Sequence, residues 1–265
     1  MLTILGIPLD QNSSYLRGPA RAPSHIREAL HSGSGNWCVE NGLDIRTSDQ
    51  WHDAGDLQLD PMPQAFTQIT EGVAALLAQG HKVLSLGGDH SITYPIIRAF
   101  AERYPKLTIL HIDAHPDLYD ELDGNRFSHA CPFARIMEMG LEAGLALRLV
   151  QVGIRTATPH QRQQAQVFGV EMIEMRNWHD GLRFAFDGPT YLSLDLDALD
   201  PAFAPGVSHH EPGGFSVREL LGLLRNLQAD LVGADIVELN PLRDVNGQTA
   251  MVAAKFYKEL IAKML

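Results

Sequence analysis

At 265 residues, the chain is long enough for one large α/β domain or two small ones with a substantial core. Its apolar content of 45% and charged content of 20% are those of an ordinary globular protein, and a formal net charge of −11 excludes nucleic acid or an anionic membrane surface as the main partner. Cys38 and Cys131 are too few for a disulfide framework and suit a reducing cytoplasm, Met1–Leu5 lacks the basic start of a signal peptide, and no apolar run reaches the roughly 18 residues of a membrane span.

Leu2–Pro8 reads as a first strand, and Asp10–Pro23, with Gly18, Pro19 and Pro23, as a surface loop. Ser24 is placed to cap a helix over His25–His31, and Ser32–Asn41 is rich in loop formers. Pro63 opens a helix to Gln79, with Phe66, Ile69, Val73 and Leu76-Leu77 at helical spacing and Gly80 as its stop. Lys82–Leu86 is a strand, and Ile92–Arg103 a helix with Pro95 in its first turns. Leu107–Ile112 is again a strand, Pro132–Met139 a helix, Leu145–Val152 a strand and Pro159–Val167 a helix. Tyr191–Leu194 is a strand followed by a long Pro/Gly loop. Ser216 with Glu219 forms a capping box for a helix through Leu227, Asp230–Val237 is a strand, and Thr249–Met264 a last helix. Strands and helices alternate as in βαβ units, with no composition break and no internal repeat. One three-layer α/β/α domain over 1–265, with a mostly parallel sheet, is expected.

Three of the strands run into ligand-type side chains. After Leu107–Ile112 come Asp113, His115 and Asp117, at a spacing that shares one face if the backbone stays extended. After Tyr191–Leu194 come Asp195 and Asp197, and after Lys82–Leu86 the Gly87-Gly88 turn delivers His90. Carboxylates crowded at apolar strand ends repel one another and are poorly solvated, which a divalent cation remedies. Carboxyl ends are also where parallel α/β sheets place their sites. Two histidines and four aspartates exceed one tetrahedral zinc site and suit a binuclear centre of oxygen-preferring ions such as Mn²⁺. Two such ions lower the pKa of a shared water, so hydrolysis is the expected reaction class. A binuclear phosphohydrolase would need further histidines and basic phosphate-holding groups, which the sequence does not offer.

Gly87-Gly88-Asp89-His90-Ser91, Asp113-Ala114-His115-Pro116-Asp117 and Ser193-Leu194-Asp195-Leu196-Asp197-Ala198-Leu199-Asp200-Pro201 resemble the three metal-binding signatures of the ureohydrolase family of arginases, agmatinases, formimidoylglutamases and guanidino-acid hydrolases. The likeness extends from Gly6–Asp10, through Arg17-Gly18-Pro19, to Val237–Pro241. It implies a parallel eight-stranded sheet between helix layers and a di-manganese centre. His90, Asp113, Asp117 and Asp195 would hold one ion, and Asp113, His115, Asp195 and Asp197 the other, with Asp113 and Asp195 bridging. It also implies Glu238 as the carboxylate that pairs with a guanidinium, and His129 as a proton shuttle to the leaving amine. The other histidines outside the strand ends, such as His25, His31, His52, His81, His160 and His179, read as surface or packing residues.

Against the family pattern, Ser128-His129-Ala130-Cys131 replaces a His-Gly, and His209-His210 precedes Glu211 in the loop Val207–Gly214, which makes His209 and Glu211 candidate substrate contacts. The loop Leu118–Phe127 lacks the Asn and Ser-Gly-Asn pattern by which arginases hold an amino-acid head. Its Asp120, Glu121 and Asp123 favour a cationic tail, so a small cationic guanidino substrate resembling agmatine is expected. The alternatives are an arginase, a hydrolase of N-hydroxyarginine or another guanidino compound, or a catalytically silent, metal-stabilised binding protein. A homo-oligomer in the cytoplasm is expected, without nucleic-acid or membrane partners.

Overall fold

Short apolar strands alternating with amphipathic helices bury both faces of a sheet only when helices cover it on both sides. In the computed structural model, which describes residues 1–265, the strands β1 (Leu2–Gly6), β2 (Trp51–Asp56), β3 (Lys82–Leu86), β4 (Lys106–Ile112), β5 (Ala146–Ile154), β6 (Glu171–Glu174), β7 (Ala185–Asp195) and β8 (Gln228–Val237) form one sheet. Every pairing is parallel, and the order is β2-β1-β3-β8-β7-β4-β5-β6. Helices α1 (Ala22–His31), α6 (Val217–Asn226) and α7 (Gln248–Met264) pack on one face through Ile26, Leu220, Leu224, Phe256 and Leu260. Helices α2 (Gln64–Ala78), α3 (Thr93–Arg103), α4 (Pro132–Glu142) and α5 (Pro159–Phe168) cover the other through Ile69, Val73, Phe100, Phe133 and Ile136. No helix is long and apolar enough to cross a membrane.

The expected α/β/α architecture and the capping box of Ser216 with Glu219 are present. Helix α1 starts earlier than its sequence signal, at Ala22, and Ser24 lies inside it with its hydroxyl donating back to the Arg21 carbonyl. The edge strands β2 and β6 have no counterpart among the expected elements. β2 is largely solvent-facing and β6 half-buried, and both lack the apolar runs that mark the central strands.

The four central strands β3, β8, β7 and β4 are neighbours in space although β3 and β8 lie far apart in sequence. Their carboxyl ends release His90, Glu238, the Asp195–Asp197 pair and the Asp113–Asp117 loop onto one rim. Adjacency in the sheet is what gathers them.

Candidate metal centre

Local backbone decides how each side chain arrives. Gly87 and Gly88 matter through close approach rather than through left-handed dihedrals: a Cβ on Gly88 would lie 1.7 Å from the Leu9 carbonyl oxygen, and one on Gly87 2.6 Å from Val237. Beyond them Asp89 caps a 3₁₀ turn by accepting the Ser91 N–H at 3.1 Å, and His90 opens that turn. Asp113, His115 and Asp117 do not share a strand face, because β4 ends at Ile112 and the loop coils, with Asp117 at φ +50°. Likewise Asp195 is the last residue of β7 and Asp197 sits in a 3₁₀ turn, joined by an Asp197 N–H to Asp195 Oδ1 bond of 2.7 Å. Glu238, just past β8, has φ +66°. A non-glycine residue held there costs about 1–3 kcal/mol, and such strain gathers at functional sites.

The six expected ligands converge. His90 Nδ1 lies 3.1 Å from each of Asp113 Oδ2, Asp117 Oδ2 and Asp195 Oδ2. It is buried, and it makes no hydrogen bond. On the other side His115 Nδ1 is 3.4 Å from Asp113 Oδ1 and 3.0 Å from Asp197 Oδ2. Asp113 thus presents one oxygen to each group. His111, absent from the expected set, lies beside the first group, but its Nε2 pairs with Asp113 Oδ2 at 2.7 Å and its Nδ1 with the Gln151 amide at 3.0 Å. Both ring nitrogens are engaged, so His111 backs the cluster rather than joining it.

An orphaned imidazole nitrogen ringed by three carboxylate oxygens is what a divalent cation would satisfy. Electrostatics agree. Burial first, then the charges of Asp197 and Asp113, pushes the Asp195 carboxyl well above the usual carboxylate range. Burial and the Asp113 charge raise Asp197 to about 6. His90 and His115 offset this only in part, and the all-N/O donor set, with no sulfur, fits Mn²⁺.

Beside the cluster is a cavity of about 200 Å³, lined by His115, Asp117, Asp195, Asp197, His129, His209 and Glu238 among others. Glu238 Oε1 accepts the His90 backbone N–H and pairs with His129 Nδ1, both at 2.8 Å, while Oε2 makes no hydrogen bond. His129 Nε2 meets the Ser14 hydroxyl at 2.8 Å. Burial alone would lower the His129 pKa, but the Glu238 charge and hydrogen bond outweigh it and bring it to about 9. His209 stands 5.3 Å from His129, ring centre to ring centre, with a buried, unpartnered Nε2; burial and the His129 charge push its pKa down.

Two features expected at the substrate pocket are not among the residues that line this cavity. The Glu211 side chain does not line the cavity; its carbonyl accepts from Arg155 at 2.6 Å and 2.9 Å, which makes it a loop anchor. From the loop Leu118–Phe127 only Tyr119 and Leu122 reach the cavity, while Asp120 accepts from Gln164 on the surface at 2.7 Å. Thr156, Thr158 and Gln161, which sequence reading did not single out, form an uncharged polar wall instead.

A three-layer α/β/α fold with paired aspartate/histidine groups on its carboxyl rim defines a binuclear metallohydrolase. The family model described as the arginase family matches residues 1–262. Mitochondrial arginase 1 of Arabidopsis thaliana is 47% identical, over 99% of this chain and 80% of that protein. An agmatinase of Bacillus anthracis is 33% identical, over 98% and 90%. The solved structure of an arginase from Medicago truncatula superposes with a TM-score of 0.91 at 43% identity, covering 99% of this chain and 87% of that one. The chain belongs to the arginase family: it is a metal-dependent hydrolase of amidino C–N bonds with a binuclear manganese centre.

Proposed function

We propose that the chain is an arginase, hydrolysing L-arginine to urea and L-ornithine. Similarity to plant arginases at 44–47% identity, sustained over nearly the whole chain, carries this reading against 33% for the agmatinase. The geometry supports it, because the acids invoked for an agmatine-like substrate do not line the cavity, and in the wall of Thr156, Thr158 and Gln161 the Thr156 hydroxyl and the Gln161 amide nitrogen offer neutral donors for an α-carboxylate. Gln161 engages its Oε1 in the Thr158 cap and leaves its amide nitrogen without a partner in the protein.

In this reading His90, Asp113, Asp117 and Asp195 hold one Mn²⁺, and Asp113, His115, Asp195 and Asp197 the other. When bound, the pair supplies the Lewis acidity that makes hydroxide available from water near neutral pH. Glu238 Oε2, free of internal hydrogen bonds, accepts from the substrate guanidinium, and a charge-assisted contact between planar groups fixes its orientation. His129, tethered to Glu238, donates its proton to the departing amine as the C–N bond breaks. The neutral His209 offers its unpartnered Nε2 to the substrate beside that proton. A homo-oligomer in solution completes the reading, and light scattering on the purified chain checks it.

Steady-state urea release by the manganese-loaded protein, with arginine, agmatine and short guanidino acids in parallel, tests the substrate. Arginine should be turned over with a kcat/KM at least about tenfold above agmatine, a difference of about 1.4 kcal/mol. The reverse order overturns the arginase reading and leaves the amidinohydrolase class standing.

A further inference from the structure

Beneath the cluster, five polar residues stand in register across the apolar sheet: Ser85 of β3, Asp235 of β8, Ser193 of β7, His111 of β4 and Gln151 of β5. All are fully buried. Desolvating such groups in the middle of a sheet is unfavourable, and packing gives no reason for them. For four of the five the hydrogen bonds do, while the Ser85 hydroxyl makes none.

In its ionised form the Asp235 carboxylate can only accept. It takes the hydroxyls of Thr93 at 2.9 Å and Tyr191 at 2.8 Å on Oδ2, and that of Ser193 at 2.7 Å on Oδ1. Ser193, having given its proton to Asp235, has only lone pairs left for His90 Nε2 at 2.9 Å. That nitrogen must carry the N–H, so the lone pair falls on Nδ1, the atom facing three carboxylate oxygens. A second arm runs the same way. Gln151 Nε2 donates to the Pro116 carbonyl at 2.6 Å, which fixes which end of the amide is nitrogen, and to His111 Nδ1 at 3.0 Å. His111 therefore carries its proton on Nε2 and gives it to Asp113 Oδ2 at 2.7 Å.

We propose that this rung is a positioning device, with Asp235 and Gln151 as the residues that set the direction of every proton between the sheet and the metal centre. Neither touches metal or substrate; they act through Ser193 and His111. Asp235 dictates that His90 is delivered as an Nδ1 ligand, and Gln151 that Asp113 is held as a hydrogen-bonded carboxylate. The inference rests on the reading of the cluster as a metal centre.

Cobalt(II) binding tests it, by competition against a chelator and by the hyperfine-shifted, exchangeable proton of His90 Nε2–H in the loaded protein. Asp235→Asn keeps the shape but replaces an obligate acceptor with an amide that can turn either way. Ser193→Ala removes the acceptor of the His90 proton outright. Each should weaken one of the two cobalt sites by about 10–100-fold and speed exchange of the shifted proton, while the other site changes by less than about threefold. Thr93→Val, which removes one donor to Asp235 but leaves the Ser193 link, should lower the melting temperature with cobalt affinity unchanged. If Asp235→Asn fails to fold, Ser193→Ala decides alone. Wild-type affinity and a protected shifted proton in the variants would overturn the relay. A wild-type protein that binds no cobalt would overturn the metal-centre reading itself, which is a separate result.

Discussion

The two halves of the metal cluster are built differently. His90 is buried, is bonded to Ser193 behind it, and stands edge-on to Phe133 at 5.3 Å between ring centres. The His115 side chain is 27% exposed, its Nε2 makes no hydrogen bond, and its nearest ring, His209, is 5.9 Å away on the cavity wall. One half is held by the sheet and the other by loops. A parallel sheet with both faces covered can thus lend rigidity to one side of a site while the opposite side stays open to substrate.

The largest test of that contrast is Asp195→Ala. Asp195 meets His90 through Oδ2 and joins the Asp197 turn through Oδ1, so its loss strikes both halves. Metal content by elemental analysis should collapse and urea release should fall by on the order of 10³-fold or more; unchanged metal and turnover would show that the halves are not joined there. His129→Ala leaves both halves intact, so turnover should drop about 10²-fold with metal content preserved. Full activity in that variant would remove His129 from proton transfer.

A smaller effect concerns pH. In the metal-free protein His129 should titrate near 9 by NMR, and loading two cations nearby should shift that titration downward. The sign for stability follows from a folded pKa raised above the ordinary 6.5. Metal-free protein carries the full His129 contribution below about pH 6.5 and loses it as pH rises through about 9. Chemical denaturation across that window measures it, and a rise of stability over the same interval would contradict the ion pair. The smallest effect is Asp120→Asn, which should leave KM for arginine within about twofold, since an exposed charge away from the cavity is screened.

The ligands were legible in sequence because each follows an apolar strand directly, and carboxylates delivered to the end of a buried strand are too poorly solvated to stand there without a cation. Their local geometry was not: an extended spacing would have put Asp113, His115 and Asp117 on one strand face, whereas they meet through a coiled loop with a left-handed Asp117. The polar rung was invisible because Ser85, Gln151, Ser193 and Asp235 each look like an isolated polar residue in an apolar strand, and only register shows that they are one row. The acids of the Leu118–Phe127 loop misled for a related reason: a count of charges carries no direction, and the loop turns Tyr119 and Leu122 inward. Edge strands β2 and β6 escaped notice because, half exposed, they carry no burial pattern.

The interleaved strand order has a consequence for how the protein comes into being. Because β8 sits between β3 and β7, no growing chain emerging from the ribosome can close the middle of the sheet until its last strand has been made. Ser193 then meets Asp235, and Glu238 meets the His90 backbone, only at the end of synthesis. A chain that ends before β8 therefore carries all six expected ligands but lacks the strand that sets the β3 rim beside the β7 rim.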